Sequence, residues 1–354
     1  MNNQTEHSII FRDGNSSDNE GLLRLTSLTP MIGRISIRID RQPDFFRLLE
    51  KRGKYYTIVA QKGTEIIGSC TITEMNVLLN HKHEVAHYIS DFRVHPDYKK
   101  STLAARLGKT VHQKLISLNA RLLFGTIVEG NNSVMPFLSG RLLFPHVFGG
   151  STFNVYQIIP SFIEKKSKKY IVNELEKPNL EIFNDFINEF SFSTALYEDK
   201  YNETKVLTAS YKGKIVAALA LTDAENYKQD ILIDIPNYLK VLQKGINFTN
   251  KIVPIFNLPQ LNESIKILYV RLFTYDEGFE DALELLISRA RKIAFSQKYH
   301  FLAAGVHDRS RYNKLFSNYL KIDFKTQLYF SSLDIDKEMV NSIENGTLFW
   351  DFSL

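Results

Sequence analysis

Residues 89–107 read ISDFRVHPDYKKSTLAARL, and three chain behaviours meet in them. The apolar and β-branched run through Ile89, Phe92 and Val94 is a strand, which ends at His95-Pro96 because proline cannot continue a hydrogen-bond ladder. Tyr98, Lys99 and Lys100 then form a short loop. Beyond it Ser101 and Thr102 open a helix whose Leu103, Leu107, Val111, Leu115 and Leu118 repeat at the spacing of one buried face. A helix N-terminus leaves its first backbone N–H groups without intrahelical acceptors and carries partial positive charge, so a loop at that point can cradle a pyrophosphate. Lys99, Lys100 and Arg106 add full charges. The small Ala104 and Ala105 let a phosphate approach the backbone, and Ser101 or Thr102 can add hydroxyl donors.

Outward from this junction, IIFRDG (9–14) is a β-like run ending in a glycine turn, and SSDNEGLLRLTSL (16–28) and PDFFRLLEKRG (43–53) are helices, the second framed by Pro43 and Gly53. YYTIVAQKG, TEIIGSCTITEMNVLL and HEVAHYISDFRVHP make three antiparallel strands, the first two joined through the turn QKGTE. After the helix, ARLLFGTIVEGN (120–131) is a buried strand, SVMPFLSGRLLF (133–144) a short helix and STFNVYQIIP (151–160) a closing strand. The charged FIEKKSKKY (162–170) breaks the apolar pattern as a solvated linker.

The second half repeats this order more faintly. EIFNDFINEF is helical, KVLTASYKG and KIVAALALTD form a hairpin around Gly213, and ILYVRLFTY, FEDALELLISRARKIAFSQ, HFLAAGVHDRS, YNKLFSNYLK and DFKTQLYFSSL alternate strand and helix. The reading is an α/β (α+β) chain of two tandem domains, 1–161 and 170–354, joined by linker 162–169. Each is a mixed, mostly antiparallel central sheet flanked by helices. Residues 224–264, with three prolines, are an insertion in the second domain.

A length of 354 residues suits two domains, and 44% hydrophobic against 23% charged residues excludes intrinsic disorder. The net charge of +5 comes with no dense basic tract, which argues against a nucleic-acid partner. Residues 1–160 carry +6 and the rest −1, so an anionic ligand is expected in the first half. MNNQTEHSII lacks the features of a secretory signal and no apolar stretch reaches membrane-spanning length, so a soluble, cytoplasmic protein without membrane contact is expected. Cys70, the lone cysteine, reads as a buried structural thiol. His81, His83 and His87 could share a face, but at a hairpin tip without a carboxylate or cysteine partner they are not read as a metal site.

Residues 94–107, V-H-P-D-Y-K-K-S-T-L-A-A-R-L, together with the element order around them, resemble the GCN5-related N-acetyltransferase (GNAT) superfamily. In that fold a V-x-P-x-Y pattern, a basic residue and a small-residue loop opening a helix follow the fourth strand. The positions of the family's loop are held here by Lys99, Thr102 and Ala104, so only the last is standard. GRISIRIDRQPDFF (33–46) is also similar to a segment from one branch of the superfamily. The resemblance implies acetyl-CoA, or another acyl-CoA, as cofactor. Its pantetheine arm would pair with the strand edge at Phe92, Arg93 and Val94. Its pyrophosphate would lie on the loop and helix start at Lys99, Lys100, Ser101, Thr102, Leu103, Ala104, Ala105 and Arg106, and Asn131 or Asn132 would contact it after the next strand. The family's general-acid tyrosine is missing near Phe137, Leu138 and Ser139, leaving Ser139, Tyr156 or water to protonate the thiolate.

For the base, Glu74, Glu84, Asp91 and Glu129 lie on or beside central strands; Asp91 adjoins the thioester strand and is preferred, with Glu74 in reserve. Arg34, Arg41, Phe45 and Phe46 fall where the first two helices would meet the acceptor, a small-molecule or peptide amine. The expected activity is transfer of acetyl to a primary amine. An aminoacyl transfer enzyme of paired fold and a non-catalytic CoA-binding module are the alternatives. In the second half Asp276, Glu277, Glu280 and Asp281 occupy the equivalent strand-to-helix junction and would repel a pyrophosphate there.

Overall fold

The computed structural model describes residues 8–353 apart from 34, 132–146, 176–178, 239, 241–257 and 334–335. Arg34, Asn132, Ser139 and the helix expected at 133–144 therefore lie outside the described residues. The first half runs β1 (Ile9–Asp13), α1 (Asn19–Leu28), β2 (Ser36–Asp40), α2 (Arg47–Arg52), β3 (Lys54–Lys62), β4 (Glu65–Leu79), β5 (Lys82–Val94), α3 (Leu103–Ser117), β6 (Leu122–Val128) and β7 (Val147–Ile158). The second runs β8 (Ile171–Leu175), α4 (Asn184–Ile187), β9 (Phe192–Thr194), α5 (Glu198–Tyr201), β10 (Lys205–Tyr211), β11 (Lys214–Asp223), β12 (Gln229–Asp234), β13 (Ile267–Tyr275), α6 (Glu280–Ser296), β14 (Phe301–His307), α7 (Asn313–Ser317), β15 (Lys321–Ser332) and α8 (Lys337–Asn345).

Local chemistry accounts for the elements nearest the junction. Ser101 Oγ accepts from the Leu103 N–H at 3.1 Å and donates to the Tyr98 carbonyl at 2.7 Å, so the hydroxyl ties the loop to the first turn of α3. Asn119, at φ +52°, ends that helix in the left-handed conformation asparagine tolerates. Leu107, Val111 and Leu115 are fully buried against Ile58, Cys70 and Ile72 of β3 and β4. Burial pushes the Cys70 thiol far above its ordinary value, which keeps it protonated and inert. Between β10 and β11, Lys212 and Gly213 take φ +49° and +82°, the pairing that a two-residue hairpin turn demands.

The strands form one continuous sheet in the order β1-β3-β4-β5-β6-β15-β7-β14-β13-β11-β10-β8, with β9 on the far part of β4. Among the described strand pairs, β5·β6 and β13·β14 are parallel and the rest antiparallel. This differs from two self-contained sheets. The last strand of each half crosses over: β15 pairs with β6, β7 pairs with β14, and β7 and β15 pair with each other along nearly their whole length. Exchange leaves no open edge at the joint, whereas two separate sheets would each present one there. Part of the insertion is a strand, β12, which pairs antiparallel with β2 as a small second sheet. Its Leu232 and Ile235 are buried with Ile35, Ile37, Leu48 and Tyr269, so insertion and first half share a core.

Candidate functional site

β5 and β6 are in register only at Ala86↔Leu122, His87↔Leu123 and Tyr88↔Phe124. Past those pairs the strands part around a cavity of about 670 Å³, lined by residues 89–94 of β5, 123–127 of β6 and Tyr329, Phe330 and Ser331 of β15. A bulge bends β5 at this point: the β4·β5 register shifts between Ser69 and Thr71, so Asp91 and Phe92 stand opposite Cys70 alone. Asp91 itself sits at φ +52°, and its carbonyl accepts from Ser69 Oγ at 3.1 Å. Gly125 lies at the start of the parting, where a Cβ would come within 3.3 Å of the Ile89 carbonyl.

Asp91 and its neighbours dominate the electrostatics. Arg41 Nη2 donates to both carboxylate oxygens, at 2.8 and 2.7 Å, and Arg93 Nη2 lies 3.6 Å away. The Asp91 and Arg41 side chains are each 3% exposed. Burial alone would raise the Asp91 carboxyl, but Arg41, Arg93 and Arg52 outweigh it and hold the group down to about 2. A carboxylate of that acidity, with both oxygens engaged, is a poor proton acceptor, so the base expected at Asp91 is corrected to a structural anion.

The loop and helix stand at the mouth of the cavity. Lys99 and Ala104 line it, as do Phe92, Arg93, Val94 and Asn131. Lys100, Ser101, Thr102 and Ala105 sit beside them on the loop and first turn but are not part of the lining, and Leu103 is buried against Ala60 and Ile67. Arg106 is turned toward β1, its guanidinium 4.9 Å from the Phe11 ring and 3.4 Å from the Ile9 carbonyl.

Three other expectations change. Glu74 accepts from Tyr56 Oη at 2.9 Å and Lys54 Nζ at 3.2 Å and lines a separate hollow with Asn76 and His87, away from the parting strands. Side chains alternate across a strand, so Glu74 and the site residues do not share a location merely by sharing the sheet. Tyr156 lies in the core of the second half, its hydroxyl donating to Asn313 Oδ1 at 2.8 Å and its pKa raised by burial, because β7 has crossed to pair with β14. Phe45 and Phe46 are packed with Leu22, Leu25 and Leu49 as core rather than as a groove wall.

Arg52, the Tyr88–Thr126 hydroxyl pair at 2.8 Å and the β15 side chains are the site residues that sequence reading missed. Nothing local marks them, since β15 reaches the site from more than 190 residues away in the chain.

Residues 27–140 match the family model described as the Acetyltransferase (GNAT) family. That segment carries a GNAT-type domain, and the chain as a whole shares the fold of tandem GNAT proteins. Its fold is similar to that of Saccharomyces cerevisiae N-myristoyltransferase with bound myristoyl-CoA, at 11% identity and TM-score 0.59 over 92% of this chain and 82% of that one. It is likewise similar to a tandem GNAT protein from the clavulanic acid biosynthesis pathway (8%, TM-score 0.57, 93% and 100%) and to a GCN5-related N-acetyltransferase from Kribbella flavida (9%, TM-score 0.52, 94% and 73%). At such identities the likeness is one of fold. Compared with curated proteins, the sequence has no match. Among the described residues, no helix is long and apolar enough to cross a membrane.

Proposed function

We propose that the chain is an acyl-CoA-dependent N-acyltransferase that moves acetyl from acetyl-CoA to a primary amine in the first half. The observation that carries this is the cavity between the parted β5 and β6 with Lys99 and the start of α3 at its mouth. The residues present suit the cofactor: β5 at 90–94, past the end of its register with β6, can take the amide-bearing pantetheine arm as an added strand, and the helix amides near the small Ala104, with Lys99, can take the pyrophosphate. Asn131 stands at the far rim, its N–H donated to the Val128 carbonyl at 3.1 Å.

Bound there, acyl-CoA supplies an activated thioester carbonyl. The bulge at Asp91 and Phe92 and the walls from β6 and β15 orient the acyl group and keep water from it, so the acceleration assigned to the protein is chiefly positioning. Among the described lining residues Asp91 is the only acid, and it stays ionised; the ammonium proton of the acceptor therefore leaves to water. The acetyl preference is supported by the aromatic packing behind the cavity, where Phe124 and Phe330 of the lining pack with Phe192 and Trp350 at ring distances of 5.1 to 6.0 Å. A cytoplasmic location suits the single buried thiol.

In the second half, Asp276 is bonded by Lys214 at 2.6 Å and Asp281 by Lys169 at 3.2 Å and by the Tyr170 hydroxyl at 2.5 Å. This half is assigned no cofactor and a walling role.

Calorimetry should find one acetyl-CoA per chain, and Lys99→Glu should weaken it by about tenfold or more, since it sets a like charge beside phosphate. Thiol release with acetyl-, butyryl- and myristoyl-CoA across an amine panel should fall as the chain lengthens. Unchanged affinity in Lys99→Glu would remove the phosphate assignment. The ion-paired state of Asp91, the acid among the described lining residues, also favours one other reading, an acyl-CoA-binding module, which binding without thiol release would establish.

A further inference from the structure

Beside the parting strands the fold buries more positive charge than it neutralises. Arg41 and Arg93 share the single carboxylate of Asp91, at 2.7 and 3.6 Å. Arg52 is 6% exposed, and among the described residues no carboxylate lies within ion-pair distance of it. Its guanidinium stacks 5.0 Å from the Tyr88 ring, Nη1 makes a long 3.4 Å contact to Ser90 Oγ, and Nε has no acceptor. Asp91 acts on it only beyond ion-pair distance, through charge and through Ser90 Oγ, which donates to Asp91 Oδ2 at 3.3 Å. Lys228, on the turn before β12, adds to the same field; its ammonium contacts the Phe352 carbonyl at 3.3 Å and the Tyr269 ring at 4.6 Å, and among the described residues it makes no ion pair. Burial, and then the charges of Arg52 and Arg41 against that of Asp230, lowers its pKa.

A guanidinium stays protonated, so a buried one without an anion is a standing cost that proteins ordinarily avoid. The cost becomes useful when a ligand brings the missing charge. Ser90, which Arg52 touches, lines the cavity beside the bulge. Arg52 stands behind Ser90 rather than in the lining itself, so an anionic group that reaches past Ser90 to the guanidinium would hold a neighbouring amine at the place assigned above to the thioester.

We propose that the acceptor is an amine that also carries a carboxylate, recognised by Arg52, with Lys228 drawing it in. This rests on the acyltransferase reading. A planar carboxylate matches the guanidinium edge in bidentate fashion. In the transfer the acceptor nitrogen gains the acyl carbon as the thioester C–S bond breaks. Of the two protons the ammonium loses, one ends on the CoA thiol and one in water, and the carboxylate is unchanged.

The test pairs glycine, leucine, phenylalanine, glutamate and glycylglycine with their C-terminal amides, at saturating acetyl-CoA, and reads thiol release. At least one acid should exceed its amide by about 100-fold in kcat/KM, as expected for a site left with an unpaired buried charge by the wrong substrate. Arg52→Met should raise the KM for that acid by about 30-fold or more, and Arg52→Lys should recover part of it. Acetyl-CoA affinity measured by calorimetry should stay within about twofold in both variants, since neither alters the loop. If Arg52→Met fails to fold, the acid–amide ratio of the parent chain and the Arg52→Lys variant decide. Acids and amides reacting alike, or phosphoethanolamine exceeding every acid, would each overturn the proposal. Failure of acetyl-CoA to bind the parent chain, or no amine reacting although it binds, would instead overturn the acyltransferase reading, and this proposal with it.

Discussion

At Asp91 a left-handed backbone, φ +52°, coincides with a carboxylate gripped by Arg41 and faced by Arg93. Aspartate tolerates that conformation better than most residues, so the bulge and the ion pair ask for the same side chain. Asp91→Asn should keep the backbone but strand Arg41 and Arg93 as buried unpaired cations, at a cost of about 3–5 kcal/mol in denaturant unfolding. A variant as stable as the parent would show that the pair contributes nothing. The pH dependence has a definite sign. The folded carboxyl lies below its ordinary value, so the pair's stabilisation is complete above about pH 4 and is lost as pH falls toward 2. Activity between pH 5 and 9 should show no ionisation belonging to Asp91. Sequence reading placed Asp91 beside the thioester strand; it could not see Arg41, which is 50 residues away and reaches it only through the fold.

Among the elements, the two parallel pairs are the instructive comparison. β5 and β6 part around a cavity, while β13 and β14, paired from Ile267↔Phe301 to Val270↔Ala304, meet the C-terminal segment where their pairing stops. There Asp351 accepts from Arg271 Nε and Nη2 at 2.9 and 2.7 Å, and the Phe352 ring packs against Gly305, where a Cβ would lie 1.9 Å from it. Gly305→Ala should thus push Phe352 out and destabilise the protein by about 1–3 kcal/mol, while acetyl-CoA affinity of the first half stays unchanged. Equal stability of variant and parent would mean that this segment yields freely. The carboxylates at the start of α6 were visible in the sequence, but the filling of the second parting was not, because Phe352 and Gly305 are joined only by packing.

For the whole molecule, crossing of β7 and β15 makes each half's sheet depend on the other's last strand. Unfolding should be a single calorimetric transition whose van't Hoff and calorimetric enthalpies agree, and residues 1–161 or 170–354 expressed alone should not give a cooperative transition. Two separated transitions would count against the shared sheet. Acid should weaken this single unit first through histidines of the second half. His300 and His307 are both lowered to about 4 by burial, and His307 sits opposite Phe153 in the β7·β14 pairing. The unfolded chain binds protons at these histidines that the folded chain refuses, so stability rises with pH and is lost progressively as pH falls from about 6.5 toward 4. His307→Gln should flatten that part of the stability curve.

Much of this protein follows from its sequence alone, because the deciding signals are local. The period of Leu103, Leu107, Val111 and Leu115 set α3, Lys212-Gly213 set a hairpin, and the loop from Tyr98 to Thr102 announced the mouth of a cavity. Element order along the chain carried the resemblance of fold. What only the tertiary structure decided is pairing between distant strands and the company of each charge. The exchange of β7 and β15 depends on which of several similar antiparallel edges meet, and strand periodicity is indifferent to the partner. The fates of Asp91, Glu74, Tyr156 and Arg52 turn on neighbours brought within a few ångströms from elsewhere in the chain, and at that range burial and Coulomb forces, not residue type, determine whether a group reacts, binds or only holds the fold.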